Sequence, residues 1–143
     1  AVEQGHPRPS SLRTLAGFSM GGYGAADIAL HHPQVFGSVV CLEGYFHVDD
    51  PSHVLGRTTT ALAAHTPTAE LAALGNRPMF LADYANDTEP VVAGESQRMA
   101  SLLAQRKAIY QLVTVPGAGH GLAPLPGLWP DIERYLARTA WRQ

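Results

Sequence analysis

The sequence predicts an α/β fold, a mostly parallel sheet with flanking helices, and three observations carry that expectation. Short apolar runs bounded by turn residues alternate with longer helical patterns. A pentapeptide of the form G-x-S-x-G stands where the first apolar run gives way to a helix. With 45% hydrophobic and 15% charged residues in 143, the chain can bury one core and reads as a single domain, residues 1–143, with neither an internal repeat nor a linker to a second domain.

The first strand is expected over Leu12 to Phe18, a short apolar stretch between the Pro9-Ser10-Ser11 turn signal and glycines. Met20 to His32 follows as a helix whose small residues allow close packing on a sheet, and Pro33 stops it. A second strand spans Phe36 to Leu42. From Glu43 to Asn76 the pattern loosens into turn residues (Asp49, Asp50, Pro51, Ser52, Gly56) and two alanine-rich stretches, Thr60 to His65 and Thr68 to Leu74, the signature of an insertion lying over a site. Pro78 leads into a third strand, Met79 to Ala82; a helix from about Val91 to Arg106 precedes a fourth strand, Ile109 to Val115. The glycine- and proline-rich loop 116–126 leads to a closing amphipathic helix over Leu128 to Ala140. In such an alternation, functional groups are expected on loops at the carboxyl ends of the strands.

Composition excludes more than it identifies. A net charge of −2 and a pI near 6.4 provide no broad attraction for phosphate backbones or anionic lipid, so nucleic acid is not an expected partner and a small neutral or apolar substrate fits better. No apolar run reaches the roughly 18 residues of a membrane span, and Ala1 to Ser10 carry charges and two prolines rather than a signal peptide. The lone Cys41, among Val39, Val40 and Leu42, reads as core packing. The absence of an initiator Met, with a strand so early, suggests a piece of a longer protein.

The chemistry centres on Gly17-Phe18-Ser19-Met20-Gly21. A serine on a sharp strand-to-helix turn exposes its hydroxyl, and its flanking positions must be small because strand and helix nearly touch. The helix beginning at Met20 points its amino end at Ser19, so the Met20 backbone N–H is a candidate oxyanion donor. A hydroxyl is a weak nucleophile, which predicts a histidine base and an orienting carboxylate later in the chain, in the order serine, acid, histidine. His120 lies in the flexible loop Pro116-Gly117-Ala118-Gly119-His120-Gly121, and the acid is expected in the loop after the third strand, which holds Asp83, Asp87 and Glu89. Asp87 is favoured because Asn86 and Pro90 bracket it as a turn; Asp83 can end the strand and Glu89 can begin the next helix, and both stay open. His31 and His32 read as caps at a helix carboxyl end; the spacing of His47, His53 and His65 matches no metal-ligand pattern; Tyr23 and Tyr45 are candidates to line a pocket or, equally, to pack in the core.

With Gly17-Phe18-Ser19-Met20-Gly21-Gly22-Tyr23-Gly24-Ala25 followed by Ala29-Leu30-His31-His32-Pro33-Gln34-Val35-Phe36, the sequence resembles the esterase family of the α/β-hydrolase superfamily that contains esterase D (S-formylglutathione hydrolase), feruloyl-esterase-like enzymes and mycolyltransferases. The resemblance runs from about Leu12 to Tyr135. It implies the carboxyl-terminal half of an α/β-hydrolase fold and an acyl-serine intermediate formed from an acyl ester or thioester. It also implies Ser19 as nucleophile, Met20 as one oxyanion donor and His120 as base, with no metal or organic cofactor. Family members often carry a serine where this chain has Glu43 and an aromatic residue after the histidine where Gly121 and Leu122 stand, departures that bear on acyl-pocket and acceptor specificity. Only the last four of the family's roughly eight strands are expected here, so the amino-terminal strands, with the second oxyanion donor, are expected from sequence before Ala1 or from another chain. Two rival readings are an acyltransferase of the mycolyl type, in which an alcohol replaces water, and a non-catalytic binding module on the same fold.

Overall fold

Strands β1 (Thr14–Phe18), β2 (Ser38–Leu42), β3 (Met79–Tyr84) and β4 (Tyr110–Val115) form one sheet in sequence order, every neighbouring pair parallel. This computed structural model describes residues 8–49 and 58–140. Helices α1 (Met20–His31), α3 (Glu95–Gln105) and α4 (Leu125–Thr139) connect or follow the strands; a short α2 (Thr59–Ala64) and a 3-10 turn (Leu71–Leu74) lie between β2 and β3. Asp50, Pro51, Ser52, His53 and Gly56, read as part of the insertion, fall outside the described residues.

Strands β2 and β3 are buried along their whole length, because helices cover both sheet faces. Alternate side chains therefore feed two cores. Val39, Cys41, Met79 and Leu81 pack with Ala25, Ala26 and Leu30 of α1 and Met99 and Leu103 of α3. Val40, Leu42, Phe80 and Ala82 pack with Leu128, Ile132 and Tyr135 of α4. Cys41 is fully buried in the first of these, where burial pushes its thiol far above the usual range.

Several boundaries differ from the sequence reading, each for a local reason. Ser10–Leu12 form a 3-10 turn, so β1 begins two residues late. β2 starts at Ser38 rather than Phe36, with the Gly37 N–H donating to the Arg13 carbonyl. β3 runs two residues past Ala82, since Asp83 and Tyr84 still pair with Thr114 and Val115 despite the switch to polar side chains. Val91 to Ala93 form a turn, and Gly94, at φ 79°, separates it from α3. α4 begins at Leu125, because Pro126 occupies its first turn, where a missing N–H costs nothing.

β1 pairs with β2 along one edge, and among the described residues no strand pairs with its other edge. Ala16, at the middle of β1, is exposed. Beside it an apolar cleft of about 340 Å³ runs between β1 and α4, lined by Phe18, Leu42, Leu122, Leu125 and Trp129 among others. No helix among the described residues is long and apolar enough to cross a membrane.

Candidate active site

Ser19 is the single residue between the end of β1 and the start of α1. Its backbone, at φ 55° and ψ −120°, lies in a region that side chains rarely adopt. Such strain persists only where the surroundings over-determine it. Here the Ser19 N–H donates to the Leu42 carbonyl at 2.8 Å, and its carbonyl accepts from the Tyr23 N–H at 3.1 Å. A Cβ at Gly17 would collide with the Gly21 carbonyl, so Gly17 must be small, as expected. Gly21 itself has room for a side chain; the second glycine that packing requires is Gly22, whose Cβ would sit 2.9 Å from the Gly44 Cα. Met20 opens α1, where the first N–H groups have no intrahelical acceptor. Its side chain is exposed.

His120 stands in the loop between β4 and α4, 101 residues after Ser19, yet its Nε2 lies 3.0 Å from the Ser19 Oγ. Its Nδ1 lies 2.6 Å from the Asp87 Oδ2. With Nδ1 facing a carboxylate, the ring proton belongs on that nitrogen and Nε2 is free to accept from the serine hydroxyl. The imidazole rests against the Phe18 ring, centroids 4.9 Å apart. The Ala85 and Asn86 N–H groups donate to the Val115 and Ala118 carbonyls at 3.1 and 2.9 Å, which ties the loop after β3 to the loop after β4.

Of the three acids left open, Asp87 alone meets His120. Its side chain is 1% exposed, its N–H donates to the Tyr84 carbonyl, and its Oδ1 accepts from the Glu89 N–H at 2.8 Å. Burial works against ionisation of Asp87, but the neighbouring Glu43 carboxyl, the Glu89 amide and His120 outweigh it and hold the carboxyl below the ordinary carboxylate range. Asp83 lies on β3 and accepts from the Gln97 Nε2 at 2.8 Å. Glu89 is exposed and contributes its amide rather than its carboxylate.

Sequence reasoning missed the fourth member of this cluster. Glu43, at the carboxyl end of β2, is 2% exposed and has a φ of 50°. Its Oε1 accepts from the Tyr84 N–H at 2.5 Å. Carboxylate oxygens of Glu43 and Asp87 and a His120 ring nitrogen all lie within 4.8 Å of one another. Burial, then the neighbouring Asp87 carboxyl, push the Glu43 carboxyl up to about 9. The signal available in the sequence was a charged residue directly ending the apolar run Ser38 to Leu42.

The remaining candidates lie elsewhere. Tyr23 and Tyr45 stack with ring centroids 5.0 Å apart, and the Tyr23 hydroxyl donates to the His65 carbonyl, tying α1 to the segment after β2. His31, in the last turn of α1, bonds through Nδ1 to the Asp27 carbonyl at 2.8 Å and stacks on His65. His32 is the C-cap of α1, and His47 is exposed. Among the described residues, Asp27, His31 and His65 form one group whose ligand-type atoms lie close enough for a cation; Glu43, Asp87 and His120 form the other, already engaged with one another.

A protein-family model described as "Putative esterase" matches residues 2–124. Comparison with curated proteins finds no match. Among solved structures, the chain is similar to an S-formylglutathione hydrolase from Agrobacterium tumefaciens, with a TM-score of 0.76 and 17% identity over 97% of this chain and 53% of that one. It is similar to a ferulic acid esterase, with a TM-score of 0.74 and 17% identity over 96% and 56%. A puromycin-hydrolyzing peptidase of Mycobacterium tuberculosis gives a TM-score of 0.75 and 20% identity over 99% and 24%. These likenesses establish an α/β-hydrolase fold, and the chain spans about half the length of the first two structures.

Proposed function

This chain belongs to the Putative esterase family, and from that premise we propose that it is the nucleophile-and-histidine portion of a serine hydrolase cleaving carboxylic esters or thioesters. The observation that carries this reading is the unbroken chain of hydrogen bonds from the Ser19 Oγ through His120 to Asp87. His120 Nε2 takes the Ser19 proton as Oγ attacks the acyl carbonyl, and Asp87 holds the imidazole tautomer and balances the imidazolium that forms. The Met20 N–H, at the positive end of α1, donates to the developing oxyanion. Collapse breaks the bond to the leaving alcohol or thiol, which takes the proton from His120 and departs, leaving an acyl ester on Ser19. Water then loses a proton to His120, attacks the acyl carbon and releases the acid as Ser19 recovers its proton.

The apolar cleft along β1, with Leu122 and Trp129 half exposed on its wall, suits an apolar acyl group or further apolar chain. β1 is an end strand of the sheet among the described residues, and it is there that the remaining strands of a complete hydrolase sheet would join, bringing the second oxyanion donor with them, from upstream sequence or another chain.

A fluorophosphonate probe tests the nucleophile directly. The protein is expected to be labelled at Ser19, and Ser19→Ala to abolish labelling together with at least about 10⁴-fold of the turnover of a short acyl ester. Labelling that survives the substitution would remove Ser19 from the mechanism.

A further inference from the structure

We propose that Glu43 is a positioning residue of the hydrolytic site: as a neutral carboxylic acid it donates a hydrogen bond to the Asp87 carboxylate and so aims Asp87 at His120. The inference rests on the proposed triad and extends it by one member. Asp87 is turned toward His120 by a short loop, residues 85–89, whose own bonds are backbone contacts to Tyr84, Val115 and Ala118 and the Glu89 amide on Oδ1. The buried Asp87 carboxylate needs a further partner if it is to keep one rotamer. Glu43 is the side chain placed to supply it.

Three independent features suit Glu43 to that role. It is buried and held from behind, its Oε1 accepting from the Tyr84 N–H while its own N–H donates to the Ala82 carbonyl at 3.0 Å. Its positive φ marks a strained backbone at the carboxyl end of β2, the sheet end that also carries Ser19 and Asp87. Two carboxyl groups this close and this buried cannot both ionise, so they share one proton. The proton resides on Glu43, because Asp87 is bonded directly to His120 and the Glu89 amide, which stabilise its charge. Glu43 instead faces the Asp87 and Asp83 carboxyls and the Tyr84 phenol, with only the Tyr84 N–H and the His120 ring, which lies within 4.8 Å but is bonded to Asp87, favouring its charged form. Accordingly the Glu43 carboxyl is raised to about 9 and that of Asp87 is lowered.

The role separates from simple packing through its proton. Gln reproduces the neutral acid's shape and can both donate to Asp87 and accept from the Tyr84 amide, whereas Leu fills the space and can do neither. Glu43→Leu is expected to slow both fluorophosphonate labelling of Ser19 and ester turnover by about 10–100-fold, the cost of a catalytic group displaced by a fraction of its working distance. Glu43→Gln should recover most of that loss and abolish an alkaline ionisation near pH 9 in the wild-type rate profile. A second measurement does not depend on turnover. An ordinary glutamate in the unfolded chain loses its proton near pH 4.3, so folding takes up a proton at Glu43 above that pH. Wild-type thermal stability should therefore fall relative to Glu43→Gln as pH rises from about 4.5 toward 9.

If the two melting profiles run parallel, Glu43 does not hold the proton and the proposal is overturned. It is equally overturned if Gln is as slow as Leu while folded. Retention of activity in Ser19→Ala would instead sink the proposed hydrolytic site, and the melting comparison would still decide whether Glu43 carries the proton.

Discussion

At the scale of single residues, the site illustrates how neighbouring carboxyl groups acquire opposite characters. Asp83, Asp87 and Glu89 fall within seven residues, and the differences between them come from contacts: a glutamine amide for Asp83, the imidazole and a backbone N–H for Asp87, exposure for Glu89. Asp87→Asn is therefore expected to cut ester turnover by about 10⁴-fold, since an amide can hold the wrong imidazole tautomer. Asp83→Asn and Glu89→Gln should cost far less, and equal losses in all three variants would return the acid role to the open set. The lowered carboxyl of Asp87 also adds stability that is present above its unfolded value near pH 3.9 and is lost as pH falls through its depressed folded value. Acid unfolding of Asp87→Asn should lack that component, which a pH series of denaturant melts would show.

At the scale of elements, the β1–α1 turn works because two glycines, at specific positions, let backbone approach backbone. Gly17 lies under the Gly21 carbonyl and Gly22 against Gly44, whereas a Cβ at Gly24 meets nothing within 4 Å. Gly24→Ala is expected to stabilise the protein by about 0.5–1 kcal/mol, because alanine loses less backbone freedom in a helix. Gly22→Ala should destabilise by about 1–3 kcal/mol, the range for overpacking. Denaturant titration of the two variants beside the wild type measures both; a stabilised Gly22→Ala would mean that the strand–helix contact yields easily.

At the scale of the whole molecule, β1 and β4 are the two end strands of the sheet among the described residues, and β1 is the one bordered by the apolar cleft. An end strand beside an apolar cleft is a surface on which another chain can pair. The 143 residues expressed alone are expected to associate in a concentration-dependent way, and Ala16→Lys on the open strand to weaken that association in sedimentation. Turnover by the isolated segment should be about 10²–10³-fold below that of a protein in which further strands extend the sheet beyond β1, the usual effect of losing one oxyanion donor. A monomer that unfolds cooperatively and matches the extended protein in rate would show that the segment needs no further strands.

The order of the elements and the place of Ser19 were legible in the sequence because both depend on local chemistry. Apolar runs bounded by glycine and proline mark buried strands, and a serine between such a run and a helix rich in glycine marks a sharp turn, although packing requires Gly22 rather than the expected Gly21. Boundaries were less legible where pairing overrode side-chain character, as at Asp83 and Tyr84, which β4 keeps in the strand. Which acid reaches His120 was decided only by the tertiary structure, since it depends on how two loops 30 residues apart in sequence are tied by the Ala85 and Asn86 amides. Glu43 was decided there as well. In the sequence it is a charge after a strand; only the parallel register of β2 and β3 carries it behind Asp87, where the scarcity of water and the nearness of a second carboxyl determine where its proton resides.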